Sequence, residues 1–97
     1  MEFLNEIGIE EDIISEIINH NGEAVLLDID SYCDNFKINY EILKEIGITC
    51  INELLIYKLD VFFLDSEVLK QSLKDVSNLE NFVHNVNTDF FSIDEIL

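Results

Sequence analysis

Apolar residues recur along this chain at helical spacing. In EEDIISEIINHNG, from Glu10 to Gly22, Ile13, Ile14, Ile17 and Ile18 fall at i, i+1, i+4 and i+5, which puts them on one stripe of a helix. Glu10, Glu11 and Asp12 occupy its first turn, where negative charge complements the helix dipole, and Asn21 with Gly22 supplies the stop. Gly8 and Gly47 end two other helices in the same manner. SNLE, 77–80, and SIDE, 92–95, each read as a capping box that opens a helix. AVLL, 24–27, and VFFL, 61–64, are apolar runs without an Asn-Gly type turn beside them, and they read as buried helical turns rather than strands. The expected fold class is all-α.

The helices are written as a repeat. FLNEIGI, 3–9, returns as ILKEIGI, 42–48, at an offset of 39. At an offset of 37, Ile14, Glu16, Ile17 and Ile18 fall on Ile51, Glu53, Leu54 and Leu55, and Val25, Leu26, Leu27 and Asp28 fall on Phe62, Phe63, Leu64 and Asp65. The same offset puts Tyr32, Phe36 and Lys37 on Leu69, Leu73 and Lys74. A partial third copy, FVHNVNTDFFSIDEIL, 82–97, lies over LLIYKLDVFFLDSEVL, 54–69, without a gap. The expectation is a single domain of two and a half units, 3–38, 42–76 and a partial 79–97, stacked as a short solenoid. Each unit has a short helix ending in Ile-Gly-Ile, a second helix with an aliphatic pair (Ile17-Ile18 or Leu54-Leu55), and a tight apolar turn. A third helix then closes it, with Tyr32 and Phe36, or Leu69 and Leu73, facing in.

This unit resembles the repeat of the mitochondrial transcription termination factor family, roughly L-x-x-L-G-[hydrophobic], then paired aliphatics, then a Pro and a Leu pair. The resemblance implies a helical-repeat fold. The family's proline falls near Gly22, Leu59 and Asn87, none of which is Pro, and the basic concave face with which that family grips nucleic acid has no counterpart here. The resemblance therefore extends to the fold and not to binding of DNA or RNA.

Charge carries the functional information. There are 21 Asp plus Glu against 5 Lys and no Arg, a formal net charge of −16. Residues 1–36 hold ten acids and no cation, residues 37–74 hold six acids and all five Lys, and residues 75–97 hold five acids and no Lys. Phosphates must be neutralised by Lys and Arg, so direct nucleic-acid binding and docking on anionic lipid are both disfavoured. A basic protein surface is instead attracted from a distance.

Candidates for chemistry are sparse. Cys33 and Cys50 have sixteen residues between them and form no CxxC, and with His20 and His84 they are too scattered for a zinc site. Small core cysteines and a helix-end His20 are the expected roles, so neither a catalytic site nor a metal or other cofactor is expected. DIDSYCD, 28–34, departs from a calcium loop at Tyr32, Cys33 and Asn39. No glycine-rich phosphate loop is present. MEFLNEIG lacks the basic and apolar regions of a signal peptide, and no apolar run is long enough to span a membrane, so a cytoplasmic setting with free thiols is expected.

Two functional readings follow. In the first, a small acidic inhibitor occupies the nucleic-acid-binding surface of a basic partner such as a nuclease. Its contacts are Glu10, Glu11, Asp12, Glu16, Glu23, Asp30 and Asp34, carboxylates standing in for phosphates. In size, charge and composition the chain resembles phage-encoded mimics such as anti-CRISPR proteins and uracil-DNA glycosylase inhibitors. In the second, a non-catalytic adaptor repeat uses its apolar C-terminal end, Phe90, Phe91, Ile93, Ile96 and Leu97, to bind a protein or a second copy of itself; there a truncated repeat would leave an uncovered face.

Overall fold

The computed structural model describes residues 2–97, and every regular element in that span is helical. In chain order these are α1 (Glu2–Glu6), α2 (Glu11–Asn21), α3 (Val25–Ser31), α4 (Cys33–Glu45), α5 (Ile51–Tyr57), α6 (Asp60–Phe63), α7 (Ser66–Asp75) and α8 (Leu79–Thr88), closed by a 3-10 helix, Phe90–Ile96.

The doubled phrase is a doubled turn. Gly8 follows α1 at φ +96° and Gly47 follows α4 at φ +101°. The Gly8 N–H donates to the Asn5 carbonyl at 3.1 Å and the Ile9 N–H to the Leu4 carbonyl at 3.0 Å. In the second copy Gly47 donates to Lys44 and Ile48 to Leu43, both at 3.1 Å. This is the Schellman pattern, which satisfies two orphan carbonyls of the helix and requires a residue of positive φ at the glycine. Its apolar pair is repeated too: Leu4 with Ile9, and Leu43 with Ile48, all buried. A Cβ on Gly47 would meet only the Val83 Cγ1 at 3.6 Å, an ordinary contact. The cost of Gly47→Ala is therefore conformational, and the variant should be less stable by about 1–2 kcal/mol. Urea unfolding should show a lowered midpoint at unchanged slope; an unmoved midpoint would deny the turn that role.

Helices distant in the chain meet. α2 lies against α5, α4 lies against α6 and α7, and the 3-10 helix packs on α8 and α7. One apolar core runs through all of them, from Leu4 to Ile96. Phe36 on α4 is fully buried at its centre, stacked on Phe62 at 5.1 Å and edge-on to Phe3 at 6.0 Å. The radius of gyration is 12.9 Å, close to the roughly 13 Å of a compact 100-residue domain. α4 runs straight through the expected border between units, serving as the third helix of one and the first helix of the next.

Four expectations are corrected. AVLL is not a buried turn: it opens α3, where Leu27 is 72% exposed. Tyr32 does not face in and is 61% exposed, because the break between α3 and α4 falls on it (φ −116°, ψ 28°) and turns it off the stripe formed by Ile29, Phe36, Tyr40 and Leu43. The cap of α8 is Asn78, whose side chain accepts from the Asn81 N–H at 3.0 Å, rather than Ser77. The last helix starts at Asp89, accepting from the Phe91 N–H at 3.1 Å, so Ser92 lies inside it. In the gapless third copy, buried Ile93 falls on exposed Asp65. VFFL does form a helical turn, α6, with Val61 and Phe62 buried.

Asparagines join the units. Asn39 is fully buried, and its Nδ2 points at the carbonyls of Val61, Phe62 and Leu64 at 3.2, 3.1 and 2.7 Å. One turn earlier, Asn35 donates to the Leu64 carbonyl at 2.6 Å and accepts from both the Ser66 N–H and its hydroxyl. Together they close the end of α6 and hold the start of α7, whose backbone groups would otherwise go unpaired in the core. Asn21 ties α2 to the Ile56 carbonyl of α5, and Asn87 ties α8 to Gly47 and Thr49.

Candidate functional site

All seven carboxylates expected to contact a partner are exposed. Glu10, Glu11, Asp12 and Glu16 lie on α2 or immediately before it, Glu23 on the link to α3, Asp30 on α3, and Asp34 in the first turn of α4. α2, α3 and α4 pack in succession, so these acids decorate three consecutive elements. The Glu11 carboxylate accepts from Asn5 Nδ2 at 2.6 Å, and the Asp12 carboxylate from the Ile13 N–H at 3.0 Å. Among the described residues the ion pairs are Lys58–Asp94 at 3.0 Å and Lys70–Glu67 at 3.4 Å, and neither neutralises this part of the chain.

The apolar C-terminal end is divided. Ile93 and Ile96 are buried, Phe90 is half-buried, and Phe91 and Leu97 remain exposed. The division follows from 3-10 geometry, in which residues three apart share a side; Phe90, Ile93 and Ile96 turn onto α7 and α8, and Phe91 turns away. Beside it runs a row of rings drawn from three segments. His20 meets Tyr57 at 4.8 Å, Tyr57 stacks on Phe90 at 5.4 Å, and Phe90 lies 4.6 Å from Phe91. Lys58 closes the row, with its ammonium 4.8 Å over the Phe91 ring and 3.0 Å from the Asp94 carboxylate.

A third feature was not legible in the repeat pattern. Tyr32 stands edge-on to Phe63 at 6.4 Å, and with Asp28 they line a cleft of about 170 Å³. In the second unit the counterpart of Tyr32 is Leu69, which is fully buried. An apolar letter at a core register reads as core, and only the helix break at Tyr32 reveals otherwise.

Cys33 and Cys50 are free and half-buried, and Cys50 Sγ donates to the Val86 carbonyl at 3.4 Å. Burial, reinforced by the Glu53 carboxylate, pushes the Cys50 thiol above its ordinary range, which disfavours the nucleophilic thiolate. His20 is engaged with Tyr57, and His84 is exposed on α8. Among the described residues no group of three or more His, Cys, Asp or Glu is placed to hold a metal ion, and no helix is long and apolar enough to cross a membrane. The larger hollows, about 440 Å³ each, are open and lined with charged side chains, one between Glu6 and Lys44 and the other between Asp75 and Glu95. No protein-family profile, no curated protein and no solved structure matches the chain.

Proposed function

We propose that the protein is a small cytoplasmic inhibitor that binds a basic partner protein and occupies its nucleic-acid-binding surface. The observation that carries this reading is the set of exposed carboxylates on α2, α3 and α4, in a stretch that holds ten acids and no cation. Charges fixed on packed helices present a constant spacing to a partner, as phosphates do on a duplex. The scaffold is best described as two and a half units stacked as a short solenoid; the twin Schellman turns and the packing of α2 on α5 and of α4 on α7 support that description. Long-range attraction of this kind accelerates encounter and is screened by salt.

The test is capture of partners by the immobilised protein at about 0.05 and about 0.5 M salt, spanning a severalfold change in Debye length. Captured proteins should be basic, should be released at the higher salt, and should lose nucleic-acid binding when the protein is added. Capture of partners that are not basic, or that stay bound at high salt, would sink the reading.

The adaptor reading has an observation of its own. Tyr57, Phe91 and Leu97 are exposed by 46, 54 and 48% beside the row of rings. It would be favoured if binding ignored salt and was lost in Phe91→Ala.

A further inference from the structure

We infer that the cleft between Asp28, Tyr32 and Phe63 is the seat of a single arginine side chain from the basic partner. This rests on the reading of the protein as an acidic binder and names one specific contact within that surface.

The cleft holds about 170 Å³, too small for the 300–1,000 Å³ typical of a small-molecule site and suited to one long side chain. Its walls are the rings of Tyr32 and Phe63, edge-on to each other, and Asp28 is the acidic residue that lines it. Asp28 and Tyr32 stand four residues apart across the end of α3, with the Tyr32 N–H bonded to the Asp28 carbonyl at 3.1 Å. That spacing sets the carboxylate and the ring on one side. A carboxylate beside an aromatic face is what a guanidinium selects: the ring takes its flat face and the two oxygens take its paired N–H groups, while the apolar wall covers the stem. Lysine, a strongly hydrated point charge, gains less from such a site.

The molecule contains the same arrangement in a filled state. At the other end, Lys58 lies between the Phe91 ring and the Asp94 carboxylate, at 4.8 and 3.0 Å. Lys44 likewise lies 5.2 Å over the Tyr40 ring. Asp28 and Tyr32 take part in none of the ion pairs or ring–cation contacts among the described residues, and no Lys or Arg occurs in residues 1–36. The chain thus supplies the ring, the carboxylate and the apolar wall, and leaves the cation to a partner.

Titration of the isotope-labelled protein with hexa-arginine and with hexa-lysine, followed by amide NMR at low and high salt, tests this. The arginine peptide should bind about threefold to tenfold more tightly than the lysine peptide, with the largest shifts at Asp28, Tyr32 and Phe63. Asp28→Asn and Tyr32→Leu should each abolish that preference. Both change exposed side chains, and unchanged thermal midpoints establish that they remain folded. The triple variant Glu10→Lys, Glu11→Lys, Asp12→Lys should weaken both peptides alike and keep the preference. Equal affinity for the two peptides, or a preference that survives both cleft variants, overturns the arginine seat and leaves the acidic-surface reading standing. Salt-insensitive binding that still requires Asp28 and Tyr32 upholds the seat and overturns that reading. No binding of either peptide at low salt overturns both.

Discussion

Asn39→Leu should lower folding stability by about 3–5 kcal/mol, on the basis of roughly 1–3 kcal/mol for each buried polar group left unpaired. The residue is fully buried, and its amide nitrogen serves the carbonyls of Val61, Phe62 and Leu64, which end a helix of only four residues. Leucine keeps the branched outline but is bulkier and donates nothing, so the Val61 and Phe62 carbonyls are left unpaired and crowded, while the Leu64 carbonyl keeps its bond from Asn35. A domain of this size has roughly 5–15 kcal/mol in total, and the thermal midpoint should fall by roughly 15–25 °C. A drop of only a few degrees would mean that the carbonyls find other partners or water. Asn39→Asp carries a sign as well as a size. A carboxylate aimed at three carbonyl oxygens in the core is held in its neutral form, so its folded-state pKa lies above the unfolded one. Stability is then greatest at acid pH and is lost as pH rises through the folded-state pKa. Urea midpoints that rise as pH falls from neutral to mildly acid, against a parent without that gain, would bear this out. Among the described residues the Asn39 Oδ1 itself has no partner, so the native amide already carries a cost, which the bonds from its two N–H groups offset.

Reversing Glu10, Glu11 and Asp12 to Lys should weaken binding to a basic partner by about a hundredfold at low salt, chiefly through slower association, and by much less at high salt. The three carboxylates are exposed and adjacent, and among the described residues none of them is in an ion pair. They also sit at the start of α2, where lysines oppose the helix dipole at about 0.3–1 kcal/mol each, and Glu11 holds Asn5 at 2.6 Å. A companion variant with Gln, Gln and Asn separates the two effects: it removes the negative charge without adding positive charge at the dipole. Binding should fall in both variants, and stability mainly in the lysine one. Under the adaptor reading neither variant would alter association, and Phe91→Ala would.

Much of the architecture follows from local rules. The stop at Gly22, the twin turns at Gly8 and Gly47, and the α2 stripe are decided by residues within a few positions of one another, where backbone conformation and helical period act directly. The candidate site was legible as charge, since an excess of carboxylates with no cation nearby must remain in solvent whatever the fold. Asn39 left a readable trace, standing between Phe36, Tyr40 and Leu43 on one helical stripe; a polar residue at such a register requires partners, but the stripe does not say which.

What the chain order alone determined was therefore the helical class, the repeated turns and the sign of the surface, because propensity, capping and net charge depend on near neighbours. Tertiary structure decided the rest. It turned Tyr32 and Leu27 outward by breaking a helix between them and Phe36, and it folded Ile93 and Ile96 inward by winding the end of the chain three residues to the turn. Both outcomes depend on which helix covers which face. Apolar residues at equivalent repeat positions read alike in sequence and differ in whether a neighbour arrives to bury them, so the cleft at Tyr32 could not be seen until that packing was in place.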